Sequence, residues 1–163
     1  MDAKQAIVTS LAQSDFVSDG YLADLTPEQM LTRPNPGCNH IAWQVGHLIS
    51  AERSLVEKVV PGSMEPLPAG FDEKHKKATV GVDDKAAFVS KDEYLKLKKQ
   101  VRAGVIKALE KLSPADLDKP APAGVPPFIK TVGDLFVFLP THWVMHAGQW
   151  AVIRRHCGKP ALF

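Results

Sequence analysis

The sequence predicts an all-α protein, a four-helix bundle with long crossover-type connections. Three observations carry this expectation: four long segments repeat apolar residues at helical spacing, no segment alternates as a strand does, and no stretch of the chain repeats another. At 163 residues the chain reads as one domain spanning positions 1–163, large enough to build a core without disulfide or metal staples.

The first helix is expected from about Lys4 to Leu22, carried by Ile7, Leu11 and neighbouring alanines, with Asp2 as its cap. Thr26-Pro27-Glu28-Gln29 then reads as a short helical turn, because proline suits the first helical position. Arg33-Pro34-Asn35-Pro36-Gly37 breaks the chain. Asn39 is placed to cap a second helix reaching about Val59, with Ile41, Val45, Leu48, Ile49, Leu55, Val56 and Val59 as its apolar stripe. From Pro61-Gly62 to about Val89 there is no sustained period, and the stretch is long for a bundle loop, which suggests a crossover or a lid.

Ser90-Lys91-Asp92-Glu93 forms a capping box ahead of Tyr94, Leu97, Val101, Val105, Ala108 and Leu112, the third helix. A second proline-rich break covers Lys119 to Pro127. Thr131-Val132-Gly133-Asp134 opens the last helix, which Gly158 and Pro160 end. Pro140 is expected to kink it one turn before His142.

Composition narrows the function. Hydrophobic and charged fractions of 45% and 23% are those of a globular protein and exclude disorder. A net charge of +2 is too small to imply a nucleic-acid partner, and Lys74-His75-Lys76-Lys77 reads as a solvated loop. No apolar run approaches the ~20 residues of a membrane helix, and the N-terminus lacks a signal-peptide pattern, so a cytoplasmic location without membrane contact is expected. Cys38 and Cys157 share no metal-knuckle spacing and read as free thiols.

The chemistry is concentrated in the histidines. His142 and His146 are four residues apart, ~40° around a helix axis and ~6 Å along it, so both imidazoles can reach one ion. Their face also carries Leu135, Leu139, Gln149 and Ile153, and should point inward. Burial of two neutral imidazoles needs partners, and a shared metal supplies both. The plainer alternative is a pair of hydrogen-bonded core histidines. His47, at the edge of the second helix's apolar stripe, would complete a three-histidine site; His40, seven residues earlier, is its rival but is expected to be solvated just after the cap. His75 in the polar loop and His156, ~80° from His146, are expected to be structural or exposed. Position 143 is Trp, so the HExxH motif with its built-in general base is missing.

Gly46-His47-Leu48-Ile49-Ser50-Ala51-Glu52, His142-Trp-Val-Met-His146-Ala-Gly-Gln149 and the Arg154-to-Pro160 ending together resemble the DinB-like (DinB/YfiT-like) superfamily of four-helix-bundle metalloproteins. The resemblance implies metal ligands at His47, His142 and His146, a divalent ion such as zinc or nickel, and frequently a homodimer. Among relatives it implies S-transferases and an isomerase that use a low-molecular-weight thiol, and others described as metal-dependent hydrolases. Many members carry a further histidine beside the last ligand, where this chain has Met145 and Ala147.

Three neutral nitrogens would leave such an ion its full charge, so a bound water or thiol loses its proton readily. A hydrolase usually adds a carboxylate base. Glu52 projects ~140° from His47 and Asp134 ~120° from His146, which favours thiol activation unless Asp15 or the loop supplies the base. The function expected is therefore a metal-dependent thiol S-transferase acting on a small molecule, with a hydrolase or a non-catalytic metal or small-ligand binding protein of stress response as alternatives. Trp43 and Trp143 are candidates to line the open side, although core packing is their commoner use. Gln149 is a candidate to bond a ligand imidazole.

Overall fold

A computed structural model describes all 163 residues and contains helices but no strand: α1 (Ala3–Ala23), α2 (Pro27–Met30), α3 (Ile41–Val59), α4 (Phe71–Lys74), α5 (Lys91–Lys111), α6 (Pro114–Leu117) and α7 (Val132–His156). The four long helices are those the periodicity predicts, and the single-turn helices sit in the connections. Their starts are written in the sequence. Asp2 caps α1 by accepting from the Gln5 amide, and Thr26–Gln29 and Thr131–Asp134 close reciprocal capping boxes on α2 and α7. Ser90 accepts from the Glu93 amide to start α5, but the return bond from the Glu93 side chain that the expected capping box would add is not made. Pro140 lies inside α7, which runs unbroken around it.

One cap differs from expectation. His40, not Asn39, caps α3, its Nδ1 accepting from the Trp43 amide at 3.1 Å. The Asn39 carbonyl is engaged instead by the Gln44 side chain.

Helix order follows from who touches whom. α7 packs chiefly on α1 and α3, and α5 on α3 and α1, so the consecutive helices α1 and α3 lie diagonally across the bundle. Direction follows from side-chain pairs. Gln44 meets His146 and Trp150 while Glu52 meets Trp143, so numbers rise along α3 as they fall along α7 and the two are antiparallel. Lys91 bonds the Ala23 carbonyl and Lys4 the Leu112 carbonyl, which makes α1 and α5 antiparallel as well. Ala42 and Tyr94, near the starts of α3 and α5, line one cavity, and Glu52 meets Arg102 further along both helices, so α3 and α5 run parallel. Parallel neighbours cannot be joined by a tight turn, and this is why the chain from Pro61 to Val89 is long. It crosses back along the bundle.

The core is a continuous apolar cluster that includes Leu11, Ile41, Leu48, Ile49, Tyr94, Val105, Leu135, Phe136, Trp143 and Trp150. A layer of charge cuts through it. Lys98 of α5 lies 3.2 Å from Asp15 and 2.5 Å from Asp19 of α1, and Arg102 lies 3.1 Å from Asp15 and 2.7 Å from Glu52 of α3. The Trp143 indole donates to Glu52 Oε2 at 2.6 Å, and the Lys98 ammonium stands 5.1 Å from the Trp143 ring centre. Each buried charge therefore has an opposite partner, without which burial would be prohibitive. No helix is long and apolar enough to cross a membrane.

Candidate metal centre

Six histidines occur in the chain, and their hydrogen bonds sort them. His40 is fully buried rather than solvated, with Nδ1 accepting from the Trp43 amide and Nε2 donating to the Val82 carbonyl at 3.0 Å. Neither nitrogen is left for an ion. His75 is also buried: Nδ1 donates to the Phe71 carbonyl at 2.7 Å, so Nε2 accepts from the Tyr94 hydroxyl at 2.6 Å. His156 is exposed at the end of α7. The rivals are thus removed by hydrogen bonding in two cases and by position in the third.

The other three converge. His47, His142 and His146 are half-buried and together form a group able to hold a metal ion, each offering a ring nitrogen within 4.8 Å of the others. Ring centres are 5.4 Å apart for His47 and His142, 5.8 Å for His47 and His146, and 5.0 Å for His142 and His146. Nitrogens bound to one tetrahedral ion at ~2.1 Å would lie ~3.4 Å apart, so side-chain adjustments of about an ångström complete the fit. The donors also carry the right charge. Burial holds His142 and His146 down to about 4, with neighbouring imidazoles adding to the effect, and lowers His47 as well. At neutral pH all three are uncharged donors with no proton to displace.

A side chain absent from the sequence reading orients the cluster. Gln44, one turn before His47 on α3, is completely buried, and its Nε2 donates to the Asn39 carbonyl at 2.7 Å. Its Oε1 accepts the Trp150 indole N–H at 2.9 Å, and an indole can only donate. The amide orientation is therefore fixed from both ends. Because the same Oε1 lies 2.8 Å from His146 Nδ1, that nitrogen must carry the proton, leaving the Nε2 lone pair for an ion. Gln149, the residue expected in this role, is exposed and makes no such bond; it lies on the outer side of α7.

Aromatic rings hold the other two imidazoles. Trp43 stacks on His47 with planes 5° apart and centres 5.0 Å apart, its indole donating to Thr79. Phe138 stacks on His142 at 5.0 Å and is itself met edge-on by Phe128, which is 63% exposed beside the cluster. Trp143 faces the opposite way, into the charged layer, so it packs the core rather than lining the site. No carboxylate joins the cluster. Glu52 points to Trp143 and Arg102, as its angle on the helix predicts, and burial pushes its carboxyl above the usual range against the pull of Arg102. Asp15, the expected source of a base from α1, is held by Lys98 and Arg102.

Antiparallel helices that aim three neutral imidazoles at one point define a helical-bundle protein with a candidate metal centre between α3 and α7. More narrowly, the chain belongs to the DinB superfamily, whose family model matches residues 13–150 and so includes all three histidines. Comparison with curated proteins gave no match.

Proposed function

We propose that His47, His142 and His146 hold a divalent metal ion, zinc or nickel, and that the protein is an enzyme activating a low-molecular-weight thiol for transfer to a small electrophile. One observation carries the reading: three neutral nitrogen donors face one another, one with its tautomer fixed, and no carboxylate stands among them. A bound divalent ion would supply the charge that ionises a coordinated thiol at neutral pH.

The chain's own residues do the rest. Gln44 keeps His146 protonated on Nδ1, while Trp43 and Phe138 hold the planes of His47 and His142. Such preset orientation lowers the entropy lost when the ligands close on an ion. Glu52 and Asp15 are engaged by cations in the charged layer, so the general base a hydrolase would use has no candidate among them. Phe128 and Phe138 offer an apolar, uncharged wall, which suits an apolar acceptor better than an anionic one.

Metal analysis of the purified protein is the first test. Stoichiometric metal in the wild type and its loss in His142→Ala and His146→Ala are expected; metal-free wild type after loading with zinc or nickel would overturn the reading. A screen of small thiols against electrophilic acceptors then tests the reaction. Turnover should require both the metal and the three histidines, and hydrolysis of an ester without any thiol would favour a hydrolase instead.

A further inference from the structure

On the far side of α3 from the imidazole cluster lies a cavity of about 270 Å3, where α2 and the start of α5 meet the end of the crossover connection. Ala42, the residue α3 contributes to it, precedes His47 by five positions and so stands ~140° around the helix from it. α7 contributes nothing. Met30, Ala42 and Tyr94 line the cavity and are only 2%, 4% and 1% exposed, so it reaches into the core. Protein interiors hold few voids larger than a water molecule, and ~150 Å3 of apolar space already admits benzene. This cavity has nearly twice that volume. Its walls are held from behind: Phe88 meets His40 edge-on at 4.7 Å, and the Tyr94 hydroxyl is bonded to His75.

The charges at the cavity are one-sided. Two lysines line it and no acidic residue does; Asp92 and Glu93, next along α5, are not part of its wall. Lys85 is already paired, with Glu28 at 2.6 Å. Lys91 has no carboxylate: its ammonium donates to the Ala23 and Leu25 carbonyls at 2.8 and 2.9 Å, which leaves one of its three donors free and no anion against its charge. Beside it the Ser90 hydroxyl accepts from the Glu93 amide and keeps its own proton to give. We propose that the cavity is a second ligand site, for a small carboxylic acid with a compact apolar body. The body packs among Met30, Leu31, Ala42, Phe88 and Val89, and the carboxylate takes the free donors of Lys91 and Ser90. A neutral molecule of the same shape leaves the ammonium without its anion, and an amine adds to its charge. The site needs no metal ion, so it stands or falls apart from the reading of the three imidazoles.

The test uses phenylacetate as the probe, with phenylacetamide and phenethylamine as controls of similar shape, on metal-free protein so that no ion competes for the acid. Binding is read from the methyl NMR signals of Met30, Leu31 and Val89 and from thermal melting. Phenylacetate should bind saturably with a Kd of about 1 mM or tighter, shift those methyls and raise Tm, as a ligand selective for the folded state must. The amide should bind ~10-fold more weakly and the amine not measurably. Lys91→Met should weaken phenylacetate ~10-fold or more and change the amide far less, a split that a general loosening of the fold would not give. Ala42→Leu, which fills the cavity from α3, should abolish binding of both, whereas His142→Ala should bind as wild type does. Absence of saturable shifts at the three methyl-bearing residues, or equal affinity for acid and amide in wild type, would overturn the proposal. Unchanged phenylacetate affinity in Lys91→Met or Ala42→Leu would do the same. If either variant fails to fold, the comparison of acid with amide in wild type decides.

Discussion

Replacing Gln44 with leucine tests the candidate centre where it is most constrained. The substitution preserves bulk but removes the acceptor shared by Trp150 and His146 and the donor to Asn39. Trp150 is 0% exposed, so its indole N–H would be left buried without a partner. An orphaned buried donor costs ~1–3 kcal/mol. In a chain of this size each kcal/mol moves Tm by about 2–4 °C, so metal-free Gln44→Leu should melt ~2–12 °C below wild type. His146 would also lose the bond that keeps its proton on Nδ1, and loss of such an orienting partner typically weakens metal binding ~10–100-fold. Gln44→Glu provides the contrast. A carboxylate still accepts from both Trp150 and His146, yet it sets an oxygen against the Asn39 carbonyl that the amide now donates to at 2.7 Å. It should therefore lose stability while keeping metal affinity. Calorimetric melting without metal and chelator competition with zinc separate the two effects. Wild-type zinc affinity in Gln44→Leu, or equal affinity losses in both variants, would refute the assigned tautomer.

Further outcomes follow from the charged layer and the buried imidazoles. Arg102→Met should strand the buried Glu52 carboxylate and cost ~3–5 kcal/mol in urea unfolding, and adding Glu52→Gln should recover a large part of it. Trp143→Phe should cost ~1–3 kcal/mol by removing the indole donor to Glu52 and leave zinc affinity unchanged; a marked loss of affinity would return Trp143 to the site. Acid should destabilise the metal-free protein over a defined window. His75, His142 and His146 are held down to about 4 when folded, whereas an unfolded histidine titrates near ~6.5. Between those values the unfolded chain binds more protons, so this stabilisation is complete above ~6.5 and is lost as pH falls toward about 4. Urea midpoints measured with a chelator present should fall across that window, and a flat profile would contradict buried neutral imidazoles.

What the sequence reveals is what is local. Capping boxes at Thr131 and Thr26 and the Ser90 cap mark helix starts because a cap is settled within four residues. Helical periodicity alone places His142 and His146 on one face and turns Glu52 away from His47, as found. Apart from the cap of α3, displaced by one residue from Asn39 to His40, the misreadings are tertiary. His40 looks solvated from its place beside a cap, but the crossover connection covers it with Val82 and Phe88. The Lys74–Lys77 stretch looks like a solvated loop, yet His75 within it takes the structural of its two expected roles, its burial depending on Tyr94 of α5 and on a missing side chain at Gly46. Gln149 and Gln44 are both near a ligand in helical angle. Only the packing of α3 on α7 decides which one faces Trp150. The run of helix directions is likewise invisible until side-chain pairs across the bundle are known.

The layer of Lys98, Arg102, Asp15, Asp19 and Glu52 has a consequence for how the centre can fail. Both cations come from α5, and the anions come from α1 and α3, so α5 can dock in one rotation and one height without leaving a charge unmatched. Glu52 passes that height to α7 through Trp143, the residue next to His142. The layer thus acts as a gauge block for the whole bundle. A substitution in it, remote from every imidazole, can yield a folded, helical protein whose three histidines are ground to the wrong tolerance.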